Sequence, residues 1–204
     1  MIGYYNYTVI PTCLGLASSV LGMVLALNGN LLGALICLMV SGFLDMIDGT
    51  VASLMERTEK EKRFGIQLDS LSDIVCFGVF PIIIGIVSCG INIFSCAVFC
   101  FYPICALIRL AYFNVDEEER QNATTERRKF YEGLPVTTVS VLIPFLFCFK
   151  PLTNNVFSYF YLISLIVIGI AFLVRFKLKK PGNIGKLVLG IIGLLTLICL
   201  LIVL

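Results

Sequence analysis

Four aspartates lie within two strongly apolar stretches of this sequence, and they are the residues best placed to do chemistry. The first pair lies in SGFLDMIDGTVAS at 41–53 and the second in FGIQLDSLSDIVCFG at 64–78. An ionised aspartate inside a membrane helix costs roughly 2.5–3.5 kcal/mol on insertion scales, so such residues usually face a cavity or a partner. Four carboxylates in two neighbouring segments therefore indicate a site for a cation.

The spacing of these residues predicts that they meet on facing helix surfaces. Asp45 and Asp48 are three residues apart and share one face of a helix. Gly65, Asp69 and Asp73 follow at intervals of four and form one stripe on the next helix. A short charged stretch joins the two segments, so the helices can run antiparallel with their acidic stripes together. The sequence thus predicts a box of four carboxylates.

A carboxylate box of this kind has a preferred class of ligand. Oxygen donors suit Mg²⁺, Mn²⁺ or Ca²⁺, and four carboxylates can hold two ions roughly 3.5–4 Å apart, as phosphoryl-transfer sites do. Gly49 and Gly65 lie beside the aspartates, and without side chains they let a phosphate or a nucleotide approach the backbone closely. We expect a metal site that handles a phosphorylated substrate.

The elements that must position the box are membrane spans. Of 204 residues, 59% are hydrophobic and 14% charged, and the mean hydropathy is +1.00, far above that of a soluble domain. A span needs roughly 20 mostly apolar residues. We expect an all-α polytopic transmembrane helix bundle of about seven spans, with six to eight possible. They are predicted at 7–28, 31–54, 66–88, 91–113, 134–150, 156–174 and 184–204, and 134–150 is the shortest.

Basic residues predict the orientation of the bundle. Alternating spans bring nearly all of them to one side, which should be the cytoplasmic side, leaving Lys150 opposite and Arg109 near the inner end of a span. The N-terminus is then cytoplasmic and the C-terminus outside. The first segment lacks a basic leader and a small-residue cleavage motif, so we expect a retained span. The residues on the basic side are Arg57, Lys60, Lys62, Arg63, Arg120, Arg127, Arg128, Lys129, Arg175, Lys177, Lys179, Lys180 and Lys186.

Other kinds of site are disfavoured by composition. The chain has no histidine, and its nine cysteines form no C-x-x-C pair, so zinc, disulfide and imidazole chemistry are poorly supported. The basic run RFKLKK at 175–180 fits membrane orientation better than nucleic-acid binding. The hydrophilic stretch at 114–133 is too short to fold alone and is predicted as a cytoplasmic loop or an interfacial helix. We expect residues 1–204 to form a single membrane domain.

The two segments resemble the signature of the CDP-alcohol phosphatidyltransferases, D-x2-D-G-x2-A-R followed by a spacer and G-x3-D-x3-D. Here they read DMIDGTVAS and GIQLDSLSD between residues 45 and 73, with seven of the eight fixed residues in register. Ser53 replaces the arginine of the pattern, and the spacer at 54–64 is longer than usual, with 11 residues. Arg57 or Arg63 from that spacer is a candidate substitute for the missing arginine.

The resemblance implies a reaction and a role for each signature residue. The family transfers the phosphatidyl group of CDP-diacylglycerol to an alcohol and releases CMP. The implied metal ligands for Mg²⁺ or Mn²⁺, two ions in all, are Asp45, Asp48, Asp69 and Asp73. The last aspartate of the family pattern is the base, which makes Asp73 the expected catalytic residue. The implied CDP-binding residues are Asp48, Gly49, Ala52, Gly65 and Asp69.

Further stretches resemble the phosphatidylserine synthase branch of that family. They are QLDSLSDIVCFGVFP at 67–81, RLAYFN at 109–114 and FYEGLPV at 130–136. The implied acceptor is L-serine, and the guanidinium of Arg109 matches the fork of its carboxylate. Asn114 is a second acceptor-binding candidate. Two alternatives remain open: Arg109 as a snorkelling interfacial residue, and Asn114 as a helix cap or a loop residue.

Other functions stay open at this point. The same chemistry on glycerol 3-phosphate or an inositol phosphate is one, although a phosphate dianion should need more cations than Arg109. A catalytically weak binding homologue is another, because of Ser53. A divalent-cation transporter is disfavoured because the third span beyond Asp73 offers no polar path. The other expected partners are the lipid bilayer and a second copy in a homodimer. The expected location is a bacterial cytoplasmic membrane, with the site facing the cytoplasm.

Overall fold

The protein is described here by a computed structural model that covers residues 3–54, 57–123, 130–153, 156–179 and 183–203. Almost all of the regular structure in these residues is helical, with two three-residue strands. The α-helices are α1 Val9–Leu27, α2 Leu31–Leu54, α3 Glu59–Asp73, α4 Phe80–Cys89, α5 Ile93–Ala123, α6 Val139–Phe147, α7 Lys150–Thr153, α8 Phe157–Leu173 and α9 Asn183–Val203. A π-helical segment, Ile74–Val79, joins α3 to α4, and the strands are β1 Phe130–Glu132 and β2 Lys177–Lys179.

The predicted class, a polytopic helical membrane protein, is confirmed. Within the described residues, four helical stretches are long and apolar enough to cross a membrane: Val9–Leu27, Leu31–Gly49, Glu59–Cys89 and Ile93–Arg120. Three further apolar helices are shorter, and they lie within the last three predicted spans: Val136–Phe147, Phe157–Leu173 and Gly190–Val203. The chain is therefore an integral membrane protein built as a helix bundle.

The third helix begins earlier than its predicted span at 66–88. Thr58 caps it, because its hydroxyl accepts from the backbone N–H of Glu61 at 3.3 Å while the Glu61 carboxylate accepts from the Thr58 N–H at 2.8 Å. This reciprocal capping box satisfies two backbone donors, and acidic residues in the first turn favour the positive end of the helix. Most of the short charged stretch at 56–63, which joins the two acidic segments, is therefore the first turn of α3. We call the end of the bundle that carries this turn the charged end.

The fifth helix also extends past its predicted span at 91–113. It continues to Ala123, so the first ten residues of the hydrophilic stretch at 114–133 are helical, in line with the interfacial-helix alternative. The Arg120 guanidinium pairs with the Glu117 carboxylate three residues earlier at 2.6 Å. Such spacing places opposite charges side by side on one helix surface and supports the extension.

A π-helical segment interrupts the third helix directly after Asp73. The N–H of Phe80 donates to the carbonyl of Val75, five residues earlier instead of four. Pro81 has no N–H to offer the carbonyl of Phe77, and the buried hydroxyl of Tyr102 on α5 donates to that carbonyl at 2.8 Å. The irregular turn is thus stabilised by a neighbouring helix, as backbone groups in a membrane require.

The charged end of the bundle carries a small antiparallel pairing of β1 with β2, in which Tyr131 lies opposite Leu178. Gly133 follows β1 with a φ of +78°, and its N–H donates to the carbonyl of Phe176 at 2.7 Å. A Cβ at this position would lie 2.9 Å from the carbonyl oxygen of Val174, so only glycine fits. The pairing fastens the chain before α6 to the chain after α8.

Candidate active site

The four predicted aspartates meet in one cavity at the charged half of α2 and α3. Carboxylate oxygens of Asp45, Asp48 and Asp69 all lie within 4.8 Å of one another, and Asp73, which is buried, lines the same cavity. The sequence prediction of a carboxylate box is therefore matched by the structure. The convergence follows from the helical spacing, because both acidic stripes turn towards the same interhelical space.

The carboxyl groups contact each other in pairs across the two helices. Asp45 interacts with Asp73, and Asp48 interacts with Asp69. Of the described residues that line the cavity, none is basic. Four adjacent acids without a basic partner are costly in an apolar setting, and a bound cation is the simplest compensation.

Two further observations fit a metal ion. Oδ1 of Asp69 is buried and has no hydrogen-bond partner among the described residues, so it can accept a ligand bond. The cavity measures about 10 Å³, which is room for one particle of about the size of a water molecule. With oxygen donors alone, the set suits a hard divalent cation. Asp45, Asp48, Asp69 and Asp73 are the residues that can hold it.

The first helix supplies a residue that the sequence analysis missed. The hydroxyl of Thr12 on α1 donates to Oδ2 of Asp48 at 3.0 Å and orients that carboxylate. Ser19 on α1 donates to Ser41 on α2 at 2.9 Å one step deeper, so polar contacts hold the two helices together beneath the box. The signal was a threonine inside an apolar span, but the sequence does not show which way it faces.

The signature glycines face open space, as expected for a site that a substrate approaches. A Cβ built on Gly49 meets no atom within 4 Å. A Cβ on Gly65 meets a single atom, Nη1 of Arg57, at 3.7 Å. Ala52 and Ser53 lie on the last turns of α2, and their side chains are outside the described part of the structure. The predicted contact of Ala52 with CDP stays a prediction.

The spacer arginines have different surroundings. Arg57 lies beside Gly65, and its Nε is buried without a hydrogen-bond partner in the described part of the chain. Arg63 is exposed and lies 3.9 Å from the carboxylate of Glu118 on α5. Of the two candidate substitutes for the arginine missing at position 53, only Arg57 is thus described next to a signature residue.

Arg109 is buried, but it lies in a different cavity from the aspartates. Its Nε donates to the carbonyl of Leu134 at 3.1 Å, and its guanidinium lies over the ring of Phe113. It lines a cavity of about 190 Å³, which is formed by α5, β1 and the end of α8. The burial contrasts with the snorkelling alternative, in which the charged head would reach into water. The lining residues are Ile108, Arg109, Tyr112, Glu132, Phe172, Leu173, Val174 and Arg175.

Asn114 lies inside α5, and its Oδ1 accepts a hydrogen bond from the hydroxyl of Ser70 on α3 at 2.9 Å. It is therefore neither a helix cap nor a loop residue, which were the alternatives to acceptor binding. Ser70 lies between Asp69 and Asp73 in sequence, so Asn114 brings α5 against the helix that carries the second acidic pair. The helix α5 thus lines the Arg109 cavity and packs against the helix that carries the second acidic pair.

Comparison with known proteins supports one family. The family model described as CDP-alcohol phosphatidyltransferase matches residues 6–175. The CDP-diacylglycerol--serine O-phosphatidyltransferase of Saccharomyces cerevisiae is 35% identical over 108 residues, which cover 52% of this chain and 38% of the yeast protein. The protein of the same name in Helicobacter pylori is 36% identical over 102 residues, or 49% of this chain and 39% of the relative.

An archaeal relative covers more of the sequence. The archaetidylserine synthase of Methanothermobacter thermautotrophicus is 30% identical over 143 residues, or 68% of this chain and 57% of the relative. The chain spans about two fifths of the yeast and Helicobacter proteins that it matches. Since the family match includes every aspartate of the box as well as Arg109 and Glu132, the chain belongs to the CDP-alcohol phosphatidyltransferase family.

Proposed function

We propose that this chain transfers the phosphatidyl group of CDP-diacylglycerol to the hydroxyl of L-serine, releasing CMP and forming phosphatidylserine. The observation that carries the proposal is the meeting of four aspartates in one cavity of a chain that belongs to this family. Serine is the proposed acceptor because relatives on three branches of life are named for serine transfer or archaetidylserine synthesis.

The nucleotide end of the substrate is proposed to lie at the open side of the box. Gly49 and Gly65 leave room there for a diphosphate to approach the helix backbones. Asp48 and Asp69 lie between them and the cavity, and Ala52 continues the same face of α2. The proposed metal is Mg²⁺ or Mn²⁺, which would neutralise the diphosphate charge when held by the four aspartates. The cavity of about 10 Å³ has room for one ion, and the second of the two proposed ions would need the box to widen when substrate binds.

Asp73 is the proposed general base. Of the two aspartates on α3 it is the one farther from the charged end, and its side chain is buried, which keeps water away from the reacting groups. In the reaction, the serine hydroxyl oxygen forms a bond to the phosphorus that carries diacylglycerol. The bond from that phosphorus to the oxygen bridging to CMP breaks, CMP leaves with the electron pair, and the hydroxyl proton passes to Asp73.

Arg109 and Asn114 are the proposed acceptor-binding residues. The buried guanidinium of Arg109 is fixed by the carbonyl of Leu134, so it can bind a carboxylate without first becoming ordered. Asn114 contacts α3 through Ser70, beside the catalytic helix. The acceptor would then lie along α5, between its own cavity and the box.

The setting of the reaction follows from the charge distribution. We propose that the charged end of the bundle faces the cytoplasm of a bacterial cell, where CDP-lipid and serine meet at the membrane surface. We also propose a homodimer. Light scattering in detergent, with correction for bound detergent, tests it: a mass of one chain would contradict it.

The proposal is tested by CMP release from CDP-diacylglycerol by the purified chain in detergent. We expect release that depends on Mn²⁺ or Mg²⁺ and on L-serine, with little from glycerol 3-phosphate or an inositol phosphate. Asp73→Asn should reduce the rate by about 100- to 10,000-fold, because a general base contributes that much. The variant should keep the elution profile of the wild type.

Each other outcome has its own meaning. Release with a different alcohol would keep the chemistry and overturn serine as the acceptor. A lack of release with every acceptor would support a weak homologue, and Ser53→Arg would then test whether the missing arginine is the cause. An active Asp73→Asn variant would remove Asp73 as the base.

A further inference from the structure

The cavity beside Arg109 has acidic and basic groups on its walls, and this mixture is unlike the all-acidic box. The acid is Glu132 at the end of β1, and a second guanidinium comes from Arg175 after α8. The cavity of about 190 Å³ is large enough for several water-sized particles and so for a small polar molecule.

The carboxylate of Glu132 and the guanidinium of Arg175 do not form an ion pair with each other. The Glu132 carboxylate accepts one hydrogen bond, from the hydroxyl of Tyr112 at 2.9 Å through Oε2. Arg175 stacks on the ring of Tyr112, with Cζ 5.0 Å from its centroid. In the described part of the chain, neither makes an ion pair. The cavity thus presents an acid and a cation held apart by one aromatic ring.

The backbone around these groups is fixed. β1 and β2 pair in register with Glu132 opposite Lys177, and Gly133 allows the close approach to the end of α8. Because backbone hydrogen bonds hold both walls, the backbone positions of Glu132 and Arg175 are set before a ligand arrives, and the Tyr112 side chain contacts both side chains. Such preorganisation lowers the cost of binding a ligand with charges at a matching separation.

We propose that Glu132 determines acceptor specificity by binding the ammonium group of a free α-amino acid, while the guanidinium groups of Arg109 and Arg175 bind its carboxylate. The inference rests on the proposed function, because it concerns the acceptor of that reaction. A zwitterion satisfies the acid and the cations together. A phosphomonoester dianion would instead meet the repulsion of Glu132.

The test compares serine with 3-hydroxypropionate, which has the same hydroxyl and carboxylate but no ammonium. Glu132→Gln keeps an acceptor for the Tyr112 hydroxyl and removes only the charge. We expect the KM for serine to rise roughly 10- to 100-fold, with kcat and the KM for CDP-diacylglycerol nearly unchanged. The KM for 3-hydroxypropionate should not change. Glu119→Gln, at an exposed position on α5, is the matched control and should behave as the wild type.

The outcomes separate this inference from the proposed function. If Glu132→Gln weakens both acceptors equally, or neither, the ammonium contact is overturned while serine transfer stands. Calorimetric titration of wild type and variant with serine does not depend on catalysis. Serine binding that Glu132→Gln abolishes would support the contact even if no CMP were released. Wild type that binds no serine at millimolar concentration would overturn the inference.

A second inference rests on Arg57 alone. This residue follows the signature that lacks its arginine, lies beside Gly65 and has a buried Nε without a partner among the described residues. An unpaired buried guanidinium donor is costly, and the open space at Gly65 is where the diphosphate is proposed to lie. We infer that Arg57 binds a phosphate oxygen of the CDP-lipid in place of the arginine missing at position 53.

The test pairs two spacer arginines. Arg57→Gln should raise the KM for CDP-diacylglycerol roughly tenfold or more, and Ser53→Arg in the same chain should restore it. Arg63→Gln, which removes an exposed arginine near Glu118, is the control and should leave the KM unchanged. CDP binding, measured as the rise in unfolding temperature, tests the same contact without turnover. Equal effects of the two substitutions, or no rescue, would overturn the inference.

Discussion

The two halves of the third helix use glycine in opposite ways. At the charged end, a Cβ on Gly65 would meet one flexible arginine atom, and on Gly49 of the facing helix it would meet none. Beyond Asp73, a Cβ on Gly85 would lie 2.7 Å from the ring of Phe99 and 2.9 Å from that of Tyr161. Gly65 and Gly49 border open space, where the proposed substrate would lie, whereas Gly85 lets helices pack closely.

The aspartates, like the open glycines, are expected to matter for activity and not for stability. Substituting Asp69 with Asn should lower kcat/KM for CMP release about 100-fold or more, because it removes a proposed metal ligand with a buried oxygen. The folded protein should not be destabilised, since one charge of an acidic cluster is lost. Thermal unfolding with and without Mn²⁺ checks both points: Mn²⁺ should stabilise the wild type and should not stabilise the variant.

Removing the metal from the wild type tests the same site without a substitution. EDTA should abolish activity of the wild type, and adding Mn²⁺ or Mg²⁺ should restore it. Full stabilisation of Asp69→Asn by Mn²⁺ would show that the ion lies elsewhere.

Gly49→Leu tests the open side of the comparison. The new side chain points into free space, so the unfolding temperature should stay within a degree or two of the wild type. The leucine side chain should compete with the nucleotide for this space. An overpacking cost of about 1–3 kcal/mol corresponds to a roughly tenfold or larger rise in the KM for CDP-diacylglycerol. A variant with an unchanged KM would mean that the nucleotide does not pass this glycine.

Gly85→Ala tests the packed side. Its methyl group would overlap the rings of Phe99 and Tyr161, and we expect a loss of about 1–3 kcal/mol in the free energy of unfolding. The KM values of the folded fraction should not change, because the residue is remote from the box. Unfolding followed by size-exclusion fluorescence measures the loss. An altered KM with normal stability would contradict the division between the halves.

Tyr102→Phe should have the smallest effect. It removes the hydroxyl that donates to the Phe77 carbonyl, and single hydrogen bonds between membrane helices average about 0.6 kcal/mol. We expect a slightly lower unfolding temperature and activity within a few-fold of the wild type. A large loss of activity would show that the π-helical segment holds Asp73 in position.

The sequence predicted what depends on local spacing. The acidic box follows from intervals of three and four residues on two adjacent helices, and the glycines beside it follow from the same pattern. The orientation of Thr12 towards Asp48 depends on how α1 packs, which the sequence does not show. The capping box at Thr58 was readable as T-x-x-E, but the sequence analysis treated the charged stretch only as the connection between the two acidic segments.

Contacts between segments that are distant in sequence could not be predicted from the sequence. Arg109 lies in a separate cavity because β1 pairs with β2, and nothing in residues 130–132 signals a partner at 177–179. In the sequence, Glu132 was only one residue of the FYEGLPV stretch, and Arg175 was interpreted as a residue that orients the chain in the membrane. Their approach around Tyr112 arises from the tertiary fold.

The π-helical segment at Ile74–Val79 also governs how the third helix is oriented along its length. A backbone hydrogen bond that reaches back five residues instead of four adds one residue to a turn, and each residue rotates an α-helix by about 100°. The extra residue therefore sets the angle between the acidic face before the segment and the packing face after it. If the same residues formed a regular α-helix, Phe80, Ile84 and Gly85 would be turned by about 100° away from their neighbours, whereas deleting one residue of the wide turn should leave both these residues and the box in place.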